Sequence, residues 1–237
     1  MLRTIRNSPL FDGVGERTLN KIMASSVRED WAKGHQIMGP SDSMTNFRLV
    51  LQGRVKIVRS NYRDGRELTL WLLGPGEGFD IVCLLDGRPH EVTAWAADPV
   101  STLAAPMAVW SKWLQLDPRL VRATHCFMAA KLRELTELAG DLALHDTATR
   151  LSHLLLRHFG GKRPNLLEAL PQRELASKIG SVRIVVSRVL AQMKAQGVVQ
   201  MHGGAVRAVD LKRLLKWTES NREHQLALTD APKPLKR

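Results

Sequence analysis

Arg183 and Arg188 lie five residues apart in "GSVRIVVSRVL", Gly180 to Leu190, with Ser187 between them and Ile184 beside the first. A guanidinium is a planar fork of donors that fits N7 and O6 of guanine, and each such bidentate pair discriminates by about 1–3 kcal/mol. A serine hydroxyl bonds a phosphate or a base edge. Ile184 accepts nothing from cytosine. It either touches a thymine methyl or packs against the preceding helix and reads nothing.

Such chemistry needs a helix whose first turns stand clear of the protein. "QRELASKIGSVRIVVSRVLA", Gln172 to Ala191, supplies one. Leu175, Ile179, Val186 and Val189 hold two short helices at a steep angle, and Ala176 is small where they cross. Gly180 sits where the turn needs a positive φ. Ser181 is expected to cap the second helix, which runs from Val182 to about Gln196. Val186, Val189, Leu190 and Met193 then face inward, and Arg183, Ser187 and Arg188 face outward. These constraints define a helix-turn-helix. After Gly197, "VVQMHGGAVRAVD" reads as two strands joined at His202-Gly203-Gly204, a wing. Arg207 on the wing, with Arg173 and Lys178 on the first helix, is placed to clamp phosphate and set affinity, not sequence choice.

The charge agrees with a polyanion partner. The 237 residues carry a formal net charge of +12. Residues 1–146 hold 18 Lys+Arg against 17 Asp+Glu, whereas residues 147–237 hold 17 against 6. A field so segregated attracts double-stranded DNA or an anionic surface, and the helix-turn-helix decides for DNA. No apolar run reaches the ~18 residues of a membrane span, and "MLRTIRNSPLFDG" lacks the apolar stretch of a secretory signal. A cytoplasmic location with no membrane partner is expected, with Cys83 and Cys126 reduced. Two cysteines cannot supply, within one chain, the four thiolates of an iron–sulfur cluster or an all-cysteine zinc site. No GxSxG nucleophile motif and no His-x-His or His-x-Asp pair occurs in the first half, so the remote alternative, a jelly-roll metal-dependent enzyme, is not favoured.

Ahead of the helices, short apolar or alternating runs from about Val27 to Ala104 alternate with turns. "FRLVLQGRVKIVRS" alternates around Leu49, Leu51, Val55 and Ile57, Asp64-Gly65 marks a hairpin, and two more strands flank Asp98-Pro99. The pattern predicts an antiparallel β-barrel of jelly-roll type. Asp117-Pro118 opens a long helix in which Val121, Met128, Leu132, Leu135, Leu138 and Leu142 form a stripe. Arg122, Lys131, Arg133, Glu134 and Glu137 lie outside it. The stripe is that of a parallel dimer seam. The expected class is therefore α+β: a β-barrel sensor domain at 1–116, a dimerisation helix at 117–145, a winged helix-turn-helix at 146–220, and a basic flexible tail at 221–237.

This order of parts, with "GRVKI", "GPGEGFDIVCLLDGRP" and the winged helix-turn-helix, resembles the cyclic-AMP receptor protein and fumarate–nitrate regulator family of bacterial transcription factors. The likeness covers roughly residues 8–217. It implies a cyclic-nucleotide-binding-like barrel, a homodimer, a palindromic operator, RNA polymerase as a partner, and activation as the commoner outcome. Arg183 and Arg188 fall on arginine positions that the family uses against bases and phosphates, while Ile184 stands where most members have a glutamate. The nucleotide-binding members' ribose glutamate and phosphate arginine are replaced by Ile81 and Val92, within Asp80-Ile81-Val82 and Val92-Thr93-Ala94. With Asp80 and Glu91 close by, an anion would be repelled, so the pocket is degenerate and no cyclic AMP binding at physiological concentration is expected. No cysteine precedes Cys83, which removes the iron–sulfur chemistry of the oxygen-sensing branch. The haem ligands of the carbon-monoxide-sensing branch are replaced by Asp80 and Val82. No cofactor is expected. A haem-based gas or redox sensor stays as the alternative, with His90 the first candidate ligand and His35, His125 and Cys126 further ones.

Overall fold

The computed structural model describes residues 2–160 and 165–229, with side chains to Asn221. The chain forms two compact units, Met1–Leu138 and Ala139–Arg237. The first opens with helices α1 (Leu2–Arg6) and α2 (Glu16–Ala24), then strands β1 (Val27–Trp31), β2 (Gln36–Met38), β3 (Asn46–Gln52), β4 (Val55–Ser60), β5 (Glu67–Leu73) and β6 (Gly78–Phe79). A short helix α3 (Ile81–Asp86) precedes β7 (Thr93–Ala96) and β8 (Val100–Pro106), and helices α4 (Met107–Leu116) and α5 (Pro118–Leu144) follow.

The strands pair as two antiparallel sheets, in the orders β1-β8-β3-β6 and β2-β7-β4-β5. The jelly-roll expectation holds in its open form, because among the described residues no strand pairing closes the two sheets into a barrel. The Asp64-Gly65 hairpin joins β4 to β5, with Ser60 opposite Glu67. Gly53 turns β3 into β4 at φ +78°, where a Cβ would collide with the Pro99 carbonyl.

Strand β3 departs from simple alternation, since Phe47 through Leu51 are all buried. Both of its faces are covered. Val50 joins Val55, Ile57 and Ala94 from the second sheet, and Phe79 from its own. Phe47, Leu49 and Leu51 instead join Leu10, Ile22, Trp110, Leu120 and Phe127 from the helices, with the Phe47 and Trp110 rings 4.3 Å apart.

Helix α5 starts where Asp117-Pro118 predicts. Proline is tolerated at the first helical position, where its missing N–H costs nothing, and the Asp117 carboxylate accepts the Arg119 N–H at 3.0 Å. Hydrogen bonds from the Arg119 guanidinium and the Thr18 hydroxyl hold Asp117 down to about 2. The expected stripe is only partly free. Leu138 is buried within its own chain, and Met128 packs partly on the helix-side core. Leu132 is 64% exposed, while Val121, Leu135 and Leu142 are half-buried. The inward line is Leu120, Ala123 and Phe127. Lys131, expected outside the stripe, is buried beside it, and its Nζ lies 2.6 Å from Glu77 and 3.1 Å from Glu134.

The second unit takes in the last turns of α5 and then α6 (Thr147–Phe159), α7 (Gln172–Lys178), α8 (Arg183–Ala195), β9 (Val199–His202), β10 (Ala205–Val209) and α9 (Leu211–Thr229). The division after Leu138 falls earlier than residue 145. The last turns of α5 are tied to α6 by Asp141, whose carboxylate bonds His153 at 2.8 Å and Arg157 at 2.9 Å. Of the tail expected at 221–237, residues to Thr229 continue α9, and residues 230–237 lie outside the described residues. Among the described residues no helix is long and apolar enough to cross a membrane.

Candidate nucleic-acid interface

The α7–α8 turn is built by backbone chemistry. Gly180 takes φ +60°, the Ser181 N–H reaches back to the Ala176 carbonyl at 2.9 Å, and the Gly180 N–H reaches Ser177 at 3.4 Å. That is a Schellman motif, which needs a left-handed residue at this position. Contrary to expectation, Ser181 does not cap α8. The N-cap is Val182, without a side-chain bond, and the Ser181 hydroxyl lies 3.3 Å from the Thr147 hydroxyl of α6. The first N–H groups of α8 therefore have no side-chain acceptor of their own.

Val186, Val189, Leu190 and Met193 are buried as predicted, and α8 packs on α6 and α7. Arg183, Ile184, Ser187 and Arg188 are all exposed. At 100° per residue they span about 140° of one helix face. Ile184 is 73% exposed, which removes the reading in which it packs on the preceding helix. Among the described residues neither Arg183 nor Arg188 meets an acidic partner, and α8 itself contains no acidic residue.

The flanking basic residues are less free. Arg173 is exposed but lies 3.4 Å from Glu174, Lys178 is half-buried, and Arg207 on the wing lies 3.8 Å from Glu168. The wing itself forms as read, β9 and β10 pairing across Gly203 and Gly204, both at positive φ. One residue escaped sequence reading. Arg150 on α6 donates to the Thr147 hydroxyl at 3.2 Å and to the Gly180 carbonyl at 3.5 Å, tying the turn to its support. Its position among the charges of "TATRLSHLLLRHFG" carried no signal of that contact.

The two expected effector segments meet where Asp80 bonds His90, but their side chains divide between the two cores and the surface. Ile81 and the half-buried Val82 pack into the helix-side core, while Val92 is buried in the core between the sheets. Glu91, expected to share Asp80's surroundings, is exposed and pairs with Arg59 at 2.9 Å, and Thr93 is half-buried. Asp80 is fully buried at its side chain, with the His90 Nε2 3.0 Å away. Burial works to raise its carboxyl, but hydrogen bonds from His90, Cys83 and the Met44 N–H outweigh it and hold it low. Burial, then the neighbouring Asp80, push the Cys83 thiol up to about 12. Of the other haem candidates, His35, His125 and Cys126 are exposed.

Residues 149–217 match the family model described as the Crp-like helix-turn-helix domain, and residues 28–117 match the cyclic nucleotide-binding domain. The chain belongs to the CRP/FNR family of DNA-binding transcription regulators. The helix-turn-helix match encloses Arg173, Lys178, Arg183, Ile184, Ser187, Arg188 and Arg207. This CRP/FNR regulator is 28% identical over 202 residues to the cyclic AMP receptor protein of Thermus thermophilus, covering 85% of the chain and 93% of that protein. It is 24% identical to the CRP-like cAMP-activated global transcriptional regulator of Mycobacterium tuberculosis, over 87% of the chain and 95% of that protein. In fold it is similar to the c-di-GMP responsive global regulator CLP of Xanthomonas campestris, with a TM-score of 0.71 and 22% identity, over 83% of the chain and 100% of that one.

Proposed function

We propose that the chain works as a homodimer that binds a palindromic duplex through two copies of α8, the exposed Arg183–Arg188 face entering successive major grooves. The observation that carries this reading is the pair of arginines, exposed and without acidic partners among the described residues, on a helix that has no acidic residue. The uncapped N-terminus of α8 adds backbone donors for phosphate, and Ile184 offers its side chain to a thymine methyl in place of the usual cytosine contact. Arg173, Lys178 and Arg207 add phosphate contacts, Arg207 exchanging Glu168 for DNA. The +12 net charge draws the duplex in. Activation with RNA polymerase follows the family's habit.

Dimerisation runs through the exposed part of the α5 stripe, Leu132 with Val121, Leu135 and Leu142. Leu132→Glu places a charge on a residue that is 64% exposed, so it spares the fold while opposing a seam. Sedimentation of the wild-type protein is expected to give a dimer and that of Leu132→Glu a monomer with weakened duplex binding. A variant that stays dimeric with unchanged affinity removes α5 from the interface.

The first unit is read as a sensor that does not use cyclic AMP. Apolar Ile81 and Val92 stand at the two charged contacts and are buried in different cores. Although the relatives from Thermus thermophilus and Mycobacterium tuberculosis are named for cyclic AMP, these substitutions separate the chain from that chemistry.

A further inference from the structure

Asp80, Cys83 and His90 converge on one point of the first unit, their ligand atoms all within 4.8 Å of one another. We propose that these three side chains bind one divalent cation of the zinc class, through a carboxylate oxygen, a thiolate and an imidazole nitrogen, with a fourth position left to an exogenous ligand.

The donor set decides the metal. One sulfur, one nitrogen and one oxygen suit a borderline cation with tetrahedral preference, whereas magnesium and calcium demand oxygen shells. Two of the three come from one turn of chain and the third from a loop that returns to it. Asp80 precedes α3, Cys83 lies in its first turn, and His90 returns on the loop that ends at β7. Asp80 occupies the N-cap position yet makes no capping bond. Its carboxylate is turned instead to the Met44 N–H, at 3.0 Å, and to His90. Both Met44 and Asp80 hold left-handed backbone, at φ 76° and 68°.

Burial separates this site from a surface coincidence. Asp80 and Cys83 are 4% and 3% exposed, and only the His90 side chain, 25% exposed, opens toward solvent. Binding needs two proton movements. The Cys83 thiol gives its proton to solvent as the metal–sulfur bond forms, and the proton that His90 Nε2 shares with Asp80 leaves that nitrogen through solvent, the neutral ring keeping its one proton on Nδ1 so that Nε2 offers a lone pair. A second cluster, Asp141 with His145 and His153, is weaker. There the Arg157 guanidinium already occupies the Asp141 carboxylate at 2.9 Å and opposes a cation.

The test is a cobalt(II) titration of the reduced, chelator-treated full-length protein. One equivalent is expected to produce a thiolate-to-cobalt charge-transfer band and the strong visible bands of tetrahedral cobalt, both removed by zinc. Cys83→Ser should abolish the charge-transfer band, while Cys126→Ser leaves it intact. His90→Gln, at the open edge of the site, should keep the protein folded and weaken cobalt binding by more than about 100-fold, since outer-sphere losses alone cost ~10–100-fold. No band in the wild type overturns the proposal, as does a band that survives Cys83→Ser or disappears in Cys126→Ser. These spectra need no DNA, so their failure leaves the duplex-binding reading standing.

Discussion

Replacing Arg183 and Arg188 together by alanine is expected to abolish specific duplex binding while the protein melts where the wild type does. Each arginine that bridges a guanine contributes about 1–3 kcal/mol of discrimination, so the double variant should lose on the order of 100-fold or more in specific affinity. Melting should hold because both side chains are exposed, and surface substitutions of this kind stay within about 0.5 kcal/mol. The single variants separate the roles. A base-reading arginine, once removed, relaxes the preference at one position of the site. A phosphate-binding arginine weakens all sequences alike and reduces the salt slope by about one unit. Titrating each variant against matched and mismatched duplexes at several salt concentrations reads both quantities. A double variant with wild-type affinity would mean that DNA meets some other face.

Leu190→Ala is expected to do the reverse, destroying the platform while leaving every contact residue in place. Leu190 is 0% exposed, on the inward face with Val186 and Met193, where α8 packs on α6 and α7. A buried Leu→Ala change costs about 2–5 kcal/mol, from lost transfer energy and the cavity left behind. A domain has about 5–15 kcal/mol in total. The melting of the second unit should fall by about 10 °C or more, followed by calorimetry or by circular dichroism. Duplex binding should be lost at the same temperatures at which the helices melt, and recover on cooling. A shift below about 3 °C would show that Leu190 is not part of a packed core.

The helix-turn-helix was legible because its constraints are local. The positive φ of Gly180, the small Ala176 and the spacing of Val186, Val189, Leu190 and Met193 are set within 20 residues. Ile184 was ambiguous in the sequence because burial is a tertiary property. Only the packing of α8 on α6 and α7 shows it facing out. The same limit explains α5. Periodicity gives the spacing of an apolar stripe but not which side meets the core, and Leu120, Ala123 and Phe127 form a second line beside the first. Lys131 looked like a solvated charge because its partner Glu77 lies 54 positions away in the chain. Ser181 looked like a cap because serine is a good one, yet the Schellman turn carries it toward Thr147 instead. Asp80, Cys83 and His90 gave no joint signal, since a loop through Gly87, at φ +67°, must fold back to bring His90 to the other two. The sheets were readable from turns and alternation. Which strands share a layer was not, because that depends on long-range pairing of β8 with β1 and β3.

Selection of bound sites from a pool of randomised duplexes, using the full-length protein at moderate salt, tests the central claim most directly. Two copies of α8 related by a twofold axis should enrich an inverted repeat whose half-sites lie about one helical turn, ~34 Å, apart. Recovery of unrelated or single, asymmetric sequences, or no enrichment over the starting pool, would contradict it.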